Sequence, residues 1–117
     1  MPYSVAGKNL MLNALGASAG FVSLHDGDPG DNGASEISGG SPAYARKAHT
    51  WNSAAAGSMD DSNAPVFDVP AAKTVKYVGM WSLGTGGVFY GSAAVTNEVF
   101  AAQGTYTLTD MDVDLNA

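Results

Sequence analysis

The sequence predicts a mainly β protein: an antiparallel β-sandwich or jelly-roll-like barrel of about seven or eight short strands, preceded by one short N-terminal helix. Three observations lead there. Apolar and polar residues alternate in several short stretches, turn-forming residues separate them about every eight to twelve positions, and helical spacing of apolar residues occurs near the N-terminus. The chain lacks the β–α–β alternation that a parallel sheet requires. Its 117 residues are read as a single β-sandwich domain spanning 1–117, with an N-terminal helix and turn in 1–18 and a long Gly/Asp/Pro loop at 26–42.

Ser4 is placed to cap a helix running to about Leu15, with Val5, Leu12 and Leu15 (and Leu10 or Met11) as its apolar stripe and Gly16 as its stop. Such a helix is too short to persist alone and must dock on something. Tyr3, Lys8 and Met11 are the expected assembly contact. Phe21–His25 reads as a strand, and Tyr44–Trp51 alternates like a half-buried one. A small-residue, acidic loop (54–64) leads to VFDV. TVKYVGMWS then puts Val75, Tyr77, Gly79 and Trp81 on one side and Lys76, Val78 and Met80 on the other. The GTGG turn at 84–87 joins this strand to VFYGSAAV as a hairpin. NEVFA, TYTLT and MDVDL follow as short strands. The expected core is Phe21, Leu24, Trp51, Phe67, Val69, Val75, Tyr77, Trp81, Phe89, Val99, Phe100, Tyr106 and Leu108.

Composition narrows the function. The formal charge is −6, from eleven acids and five bases, which argues against nucleic acid, whose phosphates demand a basic footprint, and against anionic membrane surfaces. Apolar residues at 45% with no cysteine indicate a fold held by its core, without disulfides or thiolate metal sites. No apolar run approaches the roughly 18 residues of a membrane span. Lys8 lies inside the only stretch resembling a leader, so no export signal is expected.

The segment HDGDPGDNGASE, from His25, concentrates carboxylates and glycines. Counted from Asp26, position 5 is Gly30 and position 6 is Asp31, so the calcium-loop register fails. Asp26, Asp28 and Asp31 are the nearest approach to a cation site. A stiff turn built from Asx-turns, permissive glycines and Pro29 is the preferred reading. GASAG at 16–20 has the nucleophile-elbow pattern in the wrong order, helix before strand. His25 and His49 lack metal-binding spacing, and GTGG lacks the lysine of a phosphate loop. Asp110, Asp112 and Asp114 line one face of the last strand, an arrangement that keeps an edge solvated. No set of nucleophile, base and orienting group emerges. The reading is therefore non-enzymatic, with no cofactor.

Over nearly the whole chain the sequence resembles small tailed-bacteriophage virion proteins, labelled tail-fibre or minor tail proteins. The resemblance is carried by V-S-L-H-x-x-D-P-G-x-x-G-x-x-E-x-S-G-G-S-P-A-Y-A-R-K, met here at Val22–His25, Asp28–Gly30, Gly33, Glu36 and Ser38–Lys47, and by VFDVPAAKTVKYVGMWS and FAAQGTYTLT. It implies a structural protein made in the host cytoplasm and placed on the particle, as a tail-fibre or minor tail protein or as capsid decoration. The implied partners are other virion proteins, capsid or tail subunits, and further copies of itself. It also suggests that Glu36 or an aspartate pairs with Arg46, tethering the long loop. The alternative function is a carbohydrate-binding module for a host surface glycan, with Tyr44, Trp51, Tyr90 and Tyr106 as candidate stacking faces.

Overall fold

The computed structural model describes residues 2–116; Met1 and Ala117, the outermost residues of the expected domain, lie outside the described residues. The fold is mainly β, with one helix and eight strands among the described residues, and their pairings are all antiparallel. Helix α1 (Val5–Ser18) is followed by β1 (Phe21–His25), β2 (Lys47–Ala48), β3 (Ser58–Asp60), β4 (Val66–Val69), β5 (Lys73–Trp81), β6 (Phe89–Phe100), β7 (Gly104–Thr107) and β8 (Asp112–Asp114). A four-stranded sheet has the order β2-β1-β5-β6, and β3-β8 and β4-β7 form two-stranded ribbons. The body is elongated, 46 × 24 × 21 Å. No helix among the described residues is long and apolar enough to cross a membrane.

The register explains why both faces of β1 are buried. Val22 lies opposite Met80 and Leu24 opposite Val78, so these four side chains share one face. Phe67 and Val69 of the β4-β7 ribbon, together with Ile37 and Leu108, close over that face in one apolar cluster. Full burial of each such side chain contributes about 1.5–3 kcal/mol. On the other face Ser23 lies opposite Gly79 and Phe21 opposite Trp81. The glycine-rich loop covers this side: a Cβ on Gly33 would lie 2.4 Å from the Trp81 ring and 3.1 Å from Phe89. Only a residue without a side chain, at φ +78, lets the backbone lie there.

Several elements differ from expectation. The helix continues through Gly16 to Ser18, with Ser4 Oγ accepting from the Gly7 N–H at its start. Gly16 is instead a point of close approach, where a Cβ would lie 3.0 Å from Met59 Sδ and 3.3 Å from Trp51. The apolar stripe is narrower than expected: Leu12 is buried and Leu15 packs at the core edge, while Val5 and Leu10 are exposed. The asparagines on the same side do the docking. Asn9 Oδ1 accepts from Gly57 N (3.0 Å) and Asn13 Oδ1 from Ala54 N (2.8 Å).

The strand expected at 44–51 shrinks to Lys47–Ala48, because beyond Val22 the free edge of β1 is taken differently. The Leu24 N–H donates to the Tyr44 hydroxyl and its carbonyl accepts from Ile37 N. Within the expected 54–64 loop, Ser58–Asp60 forms β3 and pairs with β8. The two strands expected at 88–95 and 97–101 are one twelve-residue β6. Its interruption is absorbed as a bulge, since Val75 pairs with Glu98 and Tyr77 with Ala94, so β6 spends four residue steps where β5 spends two. Val99, expected in the core, is 74% exposed on this outer strand. Trp51, Tyr77, Phe89, Phe100 and Tyr106 are half-buried.

Candidate functional site

Glu36 lies midway along the 26–46 segment that leaves β1 and returns to β2, Arg46 lies at its end, and the structure brings them together. Arg46 Nε is 3.0 Å from Glu36 Oε2, and Arg46 Nη2 is 3.0 Å from Glu36 Oε1, a two-pronged ion pair. Arg46 Nη1 donates to the carbonyls of Leu83 (3.0 Å) and Gly86 (2.8 Å) in the β5–β6 turn. Its guanidinium carbon lies 3.6 Å from the centroid of the Trp81 ring. One planar cation therefore joins the loop, the sheet and the hairpin tip, using the fork geometry that lysine lacks. The Tyr44 hydroxyl donates to Glu36 Oε2 at 2.8 Å while accepting from Leu24. Burial, above all, pushes the Tyr44 hydroxyl well above the ordinary tyrosine range, and the Glu36 carboxylate adds to the effect, so it remains a donor.

A second polar chain lies beneath the loop. Trp81 Nε1 donates to Ser23 Oγ (2.8 Å), Ser23 Oγ meets His25 Nε2 (2.6 Å), and His25 Nδ1 meets the Ala34 carbonyl (2.8 Å). A carbonyl only accepts, so Nδ1 carries the proton and Nε2 accepts from the serine. Burial, the leading cause, lowers the His25 pKa against the opposing pull of the Ala34 carbonyl. Ser23 and His25 have the separation of a nucleophile and its base, but each has 0% exposure, so no substrate reaches them. The pair pins the loop to the sheet. Residues i and i+2 of a strand share a face, and that spacing was the sequence signal for this pair.

The other histidine, His49, is also buried. Its Nε2 lies 3.5 Å from Asp61 Oδ2, its ring meets Trp51 edge-on at 4.5 Å, and its Nδ1 has no hydrogen-bond partner among the described residues. Burial again lowers the pKa, opposed by Asp61. Both histidines are thus held neutral in the fold and protonate more readily when unfolded. Their stabilising contribution is complete above the ordinary value of 6.5 and is lost as the pH falls below it toward the lowered folded values. The slope approaches about 1.4 kcal/mol per pH unit for each fully buried histidine. Thermal unfolding followed from pH 7.5 down to pH 5 should show a falling midpoint, and His49→Gln should flatten that dependence.

The remaining sequence candidates are scattered. Asp26 lies 3.7 Å from Lys73 Nζ, Asp28 Oδ1 accepts from Gly30 N in an Asx-turn, and Asp31 is exposed. Among the described residues no three His, Cys, Asp or Glu side chains gather in a metal-holding group. Tyr3 (55%) and Met11 (38%) are exposed, whereas Lys8 Nζ donates to Asn116 Oδ1 at 2.9 Å and ties α1 to the C-terminal segment. Of the aromatic faces, Tyr90 is exposed and Tyr44, Trp51 and Tyr106 are half-buried. Trp51 borders a groove of about 310 Å³ together with Asn13, Asn52 and Ser53. In the β3-β8 ribbon Asp60 lies opposite Asp112; the Asp112 carboxyl is raised by desolvation and by the nearby Asp110, Asp60 and Asp61.

No curated protein and no solved structure matches the chain in comparison. A family model does, that of the podophage GP4 fiber I protein gp80, over residues 8–113. This span takes in the docked half of α1, the pinned loop and all eight strands except the last residue of β8. The chain therefore belongs to the podophage GP4 fiber I protein gp80 family, and is a structural fibre protein of the bacteriophage virion that works in contact with other virion components.

Proposed function

We propose that the chain is a tail-fibre subunit rather than a capsid decoration, and that it attaches to a neighbouring virion protein through α1. The observation that carries the attachment is the uncovered side of this helix and its N-terminal approach: Leu10 is 73% exposed, Tyr3 55% and Met11 38%. The opposite side is already docked by Asn9, Leu12 and Asn13. An apolar face left in water beside a docked one is a surface made for another subunit. The fibre description of the family supports the tail position. In this reading the ion pair of Glu36 and Arg46 is a tether that keeps the loop rigid, and Asp26, Asp28 and Asp31 shape its turn.

Leu10→Asp tests the attachment. The residue is exposed, so the free subunit should keep its stability to within about 0.5 kcal/mol. Losing the buried leucine should weaken incorporation into particles at least about tenfold. Normal incorporation, measured by quantitative mass spectrometry of purified phage, would refute the role of α1; a map of the particle showing this density on the icosahedral shell would refute the tail position. Host-glycan attachment is the second reading, favoured by the groove where Trp51 meets the amides of Asn13 and Asn52, since sugars stack on aromatic faces and bond to amides. Glycan-array binding by the wild-type chain is the measurement that separates the two.

A further inference from the structure

Strand β6 ends the order of the large sheet, and it is twelve residues long with no fully buried residue. Along one side it pairs with β5. Among the described residues, no backbone hydrogen bond other than the β5 pairing involves Tyr90–Val99. Natural edges of this length are usually blunted by lysine, proline or inward-pointing charges. FYGSAAVTNEVF contains no lysine and no proline, and its only charge is Glu98 near the end. The bulges near Tyr90 and at 95–97 leave a regular segment between them, where Gly91, Ser92, Ala93 and Ala94 pair in sequence with Met80, Gly79, Val78 and Tyr77.

We propose that β6 pairs antiparallel with β6 of a second copy of this chain about a two-fold axis, joining two four-stranded sheets into one. A row of free N–H and C=O groups left to water is a template on which another strand can pair, and charge selects which strand. The chain carries −6, so two copies repel wherever their acids meet. Between Lys76 and Glu98, however, the sequence has no charged residue, and β6 lies almost entirely within that run. A basic partner gains nothing from such a surface, while a like copy meets no repulsion there. With Ala94 at the two-fold axis, opposite Ala94 of the second copy, the small central side chains permit the usual strand spacing of about 4.8 Å. Each Glu98 then falls opposite Tyr90, and the two carboxylates stand roughly 26 Å apart, beyond the screening length of about 8–10 Å. The contact is isologous and closes on itself. It is independent of attachment through α1.

Sedimentation of the wild-type chain over a range of concentrations tests the pairing, with Ala94→Lys as the variant. Ala94 is exposed, so the variant should keep its circular dichroism and melting midpoint, while two ammonium groups brought together at the centre weaken the dimer by roughly tenfold or more. An equimolar mixture of Ala94→Lys and Ala94→Glu should restore a dimer. Amide exchange at Gly91–Ala94 should slow as wild-type concentration rises and should not do so in Ala94→Lys. A wild-type chain that stays monomeric throughout, a different closed oligomer, or a dimer untouched by Ala94→Lys would overturn the proposal. Leu10→Asp should leave the dimer intact, which separates this contact from attachment to the particle.

Discussion

Arg46→Ala is expected to destabilise the fold by about 3 kcal/mol, the low end of what removing one partner of a buried ion pair costs. The low end applies because Glu36 keeps 23% of its side chain in solvent, although Arg46 keeps only 9%. The loss has several parts. The Glu36 carboxylate is left facing the Tyr44 hydroxyl alone, the carbonyls of Leu83 and Gly86 lose their donor, and the Trp81 ring loses its cover. Arg46→Lys keeps the charge but neither the fork nor the stack, so it should retain less than half of the stabilisation. Urea denaturation measures both. A loss under about 1 kcal/mol for Arg46→Ala would mean that the pair behaves as an ordinary surface contact, and the tether would then have no energetic basis.

The second large effect is expected from the smallest possible addition, Gly79→Ala. A methyl group there would lie 2.6 Å from Ser23 Oγ, 2.8 Å from His25 Nε2 and 2.9 Å from Phe89. The backbone on both sides is held in the sheet, so the side chains must move and the hydrogen bond between Ser23 and His25 must stretch or break. The cost should reach about 2–3 kcal/mol, from overpacking and a lost buried hydrogen bond. Pairing the change with Ser23→Ala removes part of the clash, and a double-mutant cycle should show coupling of at least about 0.5 kcal/mol. Additive losses would place the strain elsewhere.

Gly79 also shows what a sequence hides. The alternation of TVKYVGMWS put Val78 and Met80 on one side and Gly79 and Trp81 on the other, and the structure keeps that division. Nothing local distinguished Gly79 from a turn glycine. Its need for space comes from Ser23 and His25, side chains more than fifty positions away, so it exists only once β1 and β5 are in register. Gly16 has a similar history: its place after Leu15 looked like a stop, but the approach of Trp51 and Met59 makes it a contact point within the helix. Val99 erred the other way. Its residue type suits a core, but its strand lies on the outside of the sheet, and exposure is a property of strand order.

From residue order alone came what depends on neighbours along the chain: a mainly β protein, one capped helix at Ser4, the turn between β5 and β6, and the periodicity that assigns each strand its two faces. Those features follow from backbone sterics and short-range hydrogen bonding. Tertiary structure decided which strand is left at the edge, that two asparagines dock α1, and that one arginine is clasped by a carboxylate, two carbonyls and an indole ring. Such outcomes arise where distant segments compete for the same free backbone groups and the same space, and short-range sequence patterns do not record which of them prevails.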